Sequence, residues 1–364
     1  VLTQNKKIIL LLLLISLVSV ELLSTAWISD DAAIILRVIE NFIHGYGPNF
    51  NVGERVQAYT HPLWFLFLSF VALFINNIFI VTLIVSILMS LFTLIFLIIK
   101  IARNFWLGFL SILLLSLSRA YVDFSTSGLE NVLSHFIILV GIFWGNRVLK
   151  DTNYKHLLYF FLSCSLLYLN RPDLILIFFP LFCHVLFSNS KVFPLVFKAL
   201  LLAALPVIIW TLFAMYYYGF PFPNTAYSKL ATGIGLSERI SQGVNYFIDS
   251  YERDPITLSL IVIGSILGLW QSILTRYLTV GVLFYLCYII SVGGDFMSGR
   301  FFTSPLLVAV AIIALSDVYK IIYYFILSYG LLIGIARIDY TLLSSSDYNV
   351  TFLNEYGIAD EQGF

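Results

Sequence analysis

The sequence predicts an all-α integral membrane protein, and three observations carry that prediction. Of its 364 residues, 60% are hydrophobic, 17% aromatic and only 11% charged, more apolar side chain than a soluble core of this length buries. The apolar residues come in repeated runs near the ~20 residues that a helix needs to cross the hydrocarbon layer. Each run closes on charged residues or on Pro/Gly punctuation, the pattern of spanning helices and not of a barrel.

The first run, Ile8 to Ile28, follows Lys6 and Lys7. It is longer than the apolar core of about 7–15 residues in a cleaved signal peptide and has no clear small-x-small cleavage site, so it reads as a first spanning helix. Hydropathy places further spans at 79–100, 105–120, 131–147, 156–170, 174–189, 197–217, 256–272, 277–291, 303–317 and 321–337, about 11 in all. Lys6, Lys7, Lys100, Arg103, Arg147, Lys150, Lys155, Lys191, Lys198, Arg276 and Lys320 then share one face, which the positive-inside rule makes cytoplasmic. Asp151 and Asp317 are the only acids on it. Nearly all other carboxylates, including Asp30, Asp31, Glu54, Asp123, Glu130, Asp173, Asp249, Glu252, Asp254 and Asp295, fall on the opposite face. This asymmetry requires that the apolar stretch Pro62 to Ile75 not cross; at about 14 residues it suits a re-entrant or juxtamembrane helix.

Two outer segments read as amphipathic interfacial helices. From Ala32 to Ile43, Ile34, Ile35, Val38, Ile39 and Phe42 form one face opposite Arg37, Glu40 and Asn41. From Leu236 to Tyr251, the apolar positions Leu236, Ile240, Val244, Phe247 and Tyr251 recur at helical spacing. The chain thus divides into a polytopic unit, 1–338, with a first outer loop at 29–78 and an amphipathic outer segment at 218–255, and a polar tail, 339–364.

Formal net charge is zero and no Lys/Arg run occurs, so no nucleic-acid surface is expected. Cys164, Cys183 and Cys287 sit inside apolar runs and form neither a disulfide framework nor a metal spacing. Carboxylates abound but no dense ligand spacing demands a divalent metal, so none is expected as an obligatory cofactor. No Gly-rich phosphate loop precedes a helix.

The reactive residue types gather on the outer face. Ser29-Asp30-Asp31 opens the first outer loop, where a carboxylate at the bilayer surface could take a proton from a hydroxyl nucleophile. The same acids also suit the positive N-terminus of the helix that follows. Further on, His61-Pro62 and Trp64 read either as helix initiation with an interfacial aromatic anchor or as part of a ligand pocket. Arg171 and Arg300 have acids close in sequence, Asp173 and Asp295, and so suit local ion pairs as well as an anionic ligand.

Five blocks in order give these residues a more specific meaning. Asp30-Asp31-Ala32, Gly53-Glu54-Arg55-Val56 and His61-Pro62-Leu63-Trp64 together form the first. Ser127-Gly128-Leu129-Glu130, Asn170-Arg171-Pro172-Asp173, Pro223-Asn224-Thr225-Ala226-Tyr227-Ser228-Lys229 and Gly293-Gly294-Asp295-Phe296-Met297-Ser298-Gly299-Arg300-Phe301 are the others. This succession resembles polyprenyl-phosphate-dependent GT-C glycosyltransferases, especially the terminal arabinofuranosyltransferases of actinobacterial cell walls, from the first span to about Arg300. The tail departs from that family, whose members often continue into a soluble outer domain, and reads as the start of such a domain.

The resemblance implies a GT-C-like helix bundle in a bacterial plasma membrane with its site facing the periplasm or exterior. The implied reaction moves one sugar from a polyprenyl-monophosphate donor to a glycan or glycoconjugate hydroxyl. It implies Asp30 or Asp31 as general base, and Arg171, Lys229 and Arg300 as holders of the departing phosphate. Glu54, Tyr59, His61, Trp64, Glu130, Asp173, Asn224, Tyr227 and Asp295 are the implied substrate contacts. Membrane lipids, the lipid-linked donor and the acceptor glycan are the expected partners. Two other readings compete: a polysaccharide polymerase or ligase fed by a diphosphate-linked oligosaccharide, and a lipid-sugar transporter. The transporter would need ionisable residues in mid-span and repeated halves with broken helices, neither of which is evident.

Overall fold

Every apolar stretch expected from hydropathy is helical in the computed structural model, which describes all residues except 1–2, 76, 188–191, 225–226, 228–232, 318–319, 337–352 and 363–364. Among the described residues there is no strand, only isolated bridges such as Met297 with Ala359. The helices are α1 (Gln4–Ser24), α2 (Asp30–Ile43), α3 (Pro62–Ala72), α4 (Ile78–Phe96), α5 (Phe105–Ser116), α6 (Arg119–Asp123), α7 (Asn131–Lys150) and α8 (Tyr154–Asn170). They continue with α9 (Ile175–Phe187), α10 (Phe193–Tyr218), α11 (Leu236–Arg253), α12 (Pro255–Trp270), α13 (Ile273–Val292), α14 (Thr303–Leu315) and α15 (Lys320–Ala336). Short 3-10 turns, Pro172–Leu174 and Arg300–Phe302, lead into α9 and α14.

By length and composition, five helices suffice alone to cross a bilayer: α1, α4 with its π-helical end at Ile101, α7, α10 and α13. The α11–α12 pair, bent by 108°, adds a sixth if it is one span. The remaining apolar helices are shorter, so about 11 crossings would require them to cross as well.

Helix α14 forms the centre, with Pro305 to Ala314 buried on all sides. α12, α5, α7 and α13 pack around it, while α8 packs on both α7 and α10 and α9 packs on α13. Without an aqueous driving force, such helices associate through close packing of small residues. At Gly281 a Cβ would collide with the carbonyl oxygen of Ile177, and at Gly264 it would lie 2.6 Å from the Ala309 carbonyl oxygen. The outward faces of α1 and α10 carry exposed Leu12, Leu17, Ile209 and Leu212, as surfaces solvated by lipid do.

Helix α3 is 11 residues long, only about 16 Å. The second turn of α4 returns to the level of the 127–130 loop, where Thr82 Cγ2 lies 3.3 Å from the position of a Cβ on Gly128. The Pro62 helix and the start of α4 therefore lie against the same loop. At the other end, Arg103 N–H donates to Ala314 O at 2.9 Å. Its guanidinium pairs with Asp317 at 3.1 Å, whose N–H donates to Gln271 Oε1 at 3.1 Å.

The two amphipathic segments are helices, and the structure assigns which side of each meets the protein. In α2 the buried residues are Ala32, Ile35, Leu36, Val38 and Ile39, whereas Phe42 is exposed. Contact with the 127–130 loop draws the Ala32 side inward. In α11 the apolar stripe Leu236, Ile240, Val244 and Tyr251 points outward, and Gly243, Tyr246, Asp249 and Ser250 are buried. Gly243 sits against the Ile290 backbone and Phe247 packs on Phe302 at 4.7 Å, so the polar side meets the protein and the apolar side meets its surroundings.

Candidate active site

The site assembles at the end of the bundle where α2, α3, α7 and the 3-10 turn before α14 begin and α8 ends. Ser29 caps α2 by accepting from Ala32 N–H at 3.2 Å, which leaves Asp30 and Asp31 in the first turn rather than at the cap. The Ser29 N–H donates to Ser127 O at 3.0 Å, and Trp64 Nε1–H donates to Gly128 O at 2.9 Å. These two bonds clamp the 127–130 loop between α2 and α3. Gly128 has φ +78°, and a Cβ there would come within 2.9 Å of Ala32, so glycine is needed for both conformation and space.

That clamp places Glu130 at the hub. Its carboxylate is fully buried and meets Arg171 Nη1 at 3.2 Å, Arg300 Nη2 at 3.3 Å and His61 Nε2 at 3.1 Å. Burial would raise this acid, but His61, Arg300 and Arg171 outweigh it and bring it to about 2. Burial, reinforced by Arg300 and Arg171 against the attraction of Glu130, pushes His61 down to about 4. Its Nε2 faces Glu130, and its Nδ1 faces the Asn170 carbonyl oxygen at 3.2 Å. Asn170 braces the hub by donating to Glu130 O at 3.0 Å and to Ser134 Oγ at 2.8 Å.

Three further acids ring the hub. Asp173 accepts from Arg171 Nε at 3.2 Å and from Tyr285 Oη at 2.8 Å, and the Arg171 guanidinium lies 4.6 Å from the Phe301 ring centroid. Asp295 and Asp31 each pair with Arg300 Nη1, at 3.4 and 3.5 Å. Arg300 is buried, and its Nε has no hydrogen-bond partner among the described residues. Asp31 is the acid of this group that reaches the surface, with its side chain 39% exposed. Partial burial raises its pKa, opposed by Arg300 and assisted by Asp30, Asp295 and Glu130. Asp30 is exposed, and its carboxylate accepts from Asp31 N–H at 2.6 Å.

Asp31, His61, Glu130, Arg171, Asp173, Asp295 and Arg300 thus meet in one cluster, although they come from five separate stretches. Other expected residues lie elsewhere. Glu54 is exposed and accepts from Asn51 at 3.1 Å. Tyr59 is buried between α3 and α10, hydrogen-bonded to Tyr218 Oη at 3.0 Å and stacked on Phe65. Trp64 is fully buried as the clamp on Gly128. Asn224 and Tyr227 lie beyond α10, with Tyr227 exposed beside Phe220 and Phe222. Lys229 lies outside the described residues.

Sequence reasoning missed a second ionic cluster beside the first. Arg119 pairs with Asp123 at 3.4 Å and with Asp360 at 2.5 Å, while Arg253 pairs with Asp249 and Asp360. Asp254 accepts from Ser118 and Ala120. Burial, tempered by Arg119, pushes Asp123 up to about 7. The Arg119/Asp123 spacing of four on one helix was the available signal; Asp360 and Tyr285 carry none. Among the described residues, no three or more His, Cys, Asp or Glu side chains are arranged to hold a metal ion.

No family model matches the chain. The terminal β-(1→2)-arabinofuranosyltransferase of Corynebacterium glutamicum is 30% identical over 335 residues, spanning 77% of this chain and 46% of the relative. The enzyme of the same name from Mycobacterium tuberculosis is 30% identical over 328 residues, spanning 77% of this chain and 51% of the relative. The chain spans about half the length of the curated relatives it matches. This membrane-type helical chain is therefore a distant relative of the terminal arabinofuranosyltransferases.

Proposed function

We propose that the chain is a GT-C glycosyltransferase that moves a single sugar from a polyprenyl monophosphate to a hydroxyl of a cell-envelope glycan, outside the plasma membrane. The observation that carries this reading is the pairing of a half-exposed acid, Asp31, with a buried arginine, Arg300, at 3.5 Å. One group suits a proton and the other an anion. As the acceptor oxygen bonds the anomeric carbon, its proton passes to Asp31 and the sugar–phosphate C–O bond breaks. The electron pair of that bond leaves on the polyprenyl phosphate. Arg300, whose Nε has no hydrogen-bond partner among the described residues, is the group we propose to stabilise the charge growing on it. Asp31 is favoured over Asp30 because only Asp31 contacts Arg300.

Four carboxylates share the cluster with two guanidiniums, so a phosphate needs a further cation there. Lys229 is the residue we propose to supply it. The relatives' names make a pentofuranosyl unit the first sugar to test. In this reading the shorter helices also cross, and the cluster end faces outward by the positive-inside rule.

Purified protein in detergent, given synthetic polyprenyl-phosphate pentofuranose and acceptor glycans, is expected to transfer sugar with no nucleotide and with a chelator present. Activity only with a diphosphate-linked oligosaccharide would favour a polymerase instead. Orientation has its own test: a reporter fused after Arg103 is expected to read as cytoplasmic, and an outward signal would refute the topology.

A further inference from the structure

Residues 353–362 return to the cluster end of the bundle. Ala359 N–H donates to Phe296 O at 2.7 Å, and Ser298 N–H donates to Ala359 O at 2.9 Å, which docks this segment on the loop before Arg300. Ile358 is fully buried. Asp360 is held by Arg119 and Arg253, and Gln362 donates to Thr25 O at 3.4 Å beyond the end of α1. Glu361 is therefore pinned from both sides. Its carboxylate is within electrostatic reach of Asp30 and Asp31 of α2 and of Asp295 and Arg300 of the docking loop. Its Oε2 is buried and has no hydrogen-bond partner among the described residues, an arrangement that costs free energy until a donor arrives.

We propose that Glu361 binds the acceptor, its unpartnered Oε2 turning to accept a hydrogen bond from a hydroxyl next to the one that Asp31 deprotonates. This rests on the glycosyltransferase reading and adds to it a residue that recognises the acceptor. The charge around Glu361 selects the ligand class. The acids Asp30, Asp31 and Asp295 act on it against Arg300, while Asp360 next to it in sequence is already paired with Arg119 and Arg253. A phosphate is repelled from such a place, whereas a neutral polyhydroxyl chain finds acceptors for its O–H groups. Burial, then Asp30, Asp31 and Asp295, opposed by Arg300, push the Glu361 carboxyl up to about 7. Ionised Glu361 makes the stronger, charge-assisted bond, so acceptor binding weakens as pH falls through neutrality.

Steady-state transfer by wild type, Glu361→Gln and Glu361→Ala, with donor and acceptor varied separately across pH, tests this. Glu361→Ala is expected to raise the acceptor KM about tenfold, the scale of one lost hydrogen bond to a charged group, with donor KM and melting temperature unchanged. Both variants should lose the dependence of acceptor KM on pH near neutrality. Equal rises in donor and acceptor KM, a lower melting temperature with unchanged acceptor KM, or a pH dependence that persists in both variants would overturn the assignment. Wild-type inactivity with every lipid-phosphate sugar would instead reject the reaction proposed above. Calorimetry of acceptor glycan alone with wild type and Glu361→Ala still judges Glu361, and equal affinities would reject it.

Discussion

Glu130→Ala is expected to collapse the folded protein in detergent, with a loss of about 3–5 kcal/mol, the range for removing one partner of a buried ion pair. The substitution leaves Arg171 and Arg300 buried side by side without the carboxylate that now bridges them at 3.2 and 3.3 Å. It also removes the ionic partner of His61. Glu130→Gln should be milder, since an amide oxygen still accepts one hydrogen bond, but it too leaves an uncompensated charge. The pH dependence follows from the sign of the shift. The folded state holds Glu130 at about 2, below its ordinary 4.5, so its stabilising contribution is full above 4.5 and lost as pH falls through about 2. Wild type minus Glu130→Gln melting temperatures should therefore shrink across that window. A Glu130→Ala protein that melts with the wild type would show that the hub does not hold the site together.

Asp31→Asn is expected to lower turnover by about 10²–10⁴-fold, the typical worth of a general base, with the protein still folded. Asp30→Asn should change it only slightly, because Asp30 faces solvent and makes no contact with Arg300 among the described residues. A base works only when ionised, and burial raises the Asp31 carboxyl, so the acidic limb of the rate profile should lie above the ordinary aspartate range. Arg300 opposes that rise. Arg300→Leu should thus move the limb to still higher pH while weakening donor binding. Single-turnover rates against pH for these variants decide the matter; if Asp30→Asn proves the damaging change, the two acids exchange roles.

Much of the site was legible because its parts are local. Arg171 with Asp173, and Arg300 with Asp295, announce themselves by short separations, and both pairs are formed. Asp31 follows a span and a capping serine, which places it at a membrane surface. The hub was not legible: Glu130 reads as a lone carboxylate at a span end, yet it gathers three partners from His61, Arg171 and Arg300. Tyr59 and Trp64 lie apart from the ionic cluster. Their types and positions suit a sugar pocket, but packing turns one toward Tyr218 and the other onto the Gly128 carbonyl.

The sequence by itself determined where the helices run, because lipid admits only long apolar helices and punishes mid-span charge. It also determined the amphipathic character of α2 and α11. Only the tertiary structure decided which charges touch, which way those helices turn, and that residues 353–362 fold back onto the loop before Arg300. Those outcomes depend on contacts between residues up to hundreds of positions apart, and such contacts leave no period or spacing along the chain.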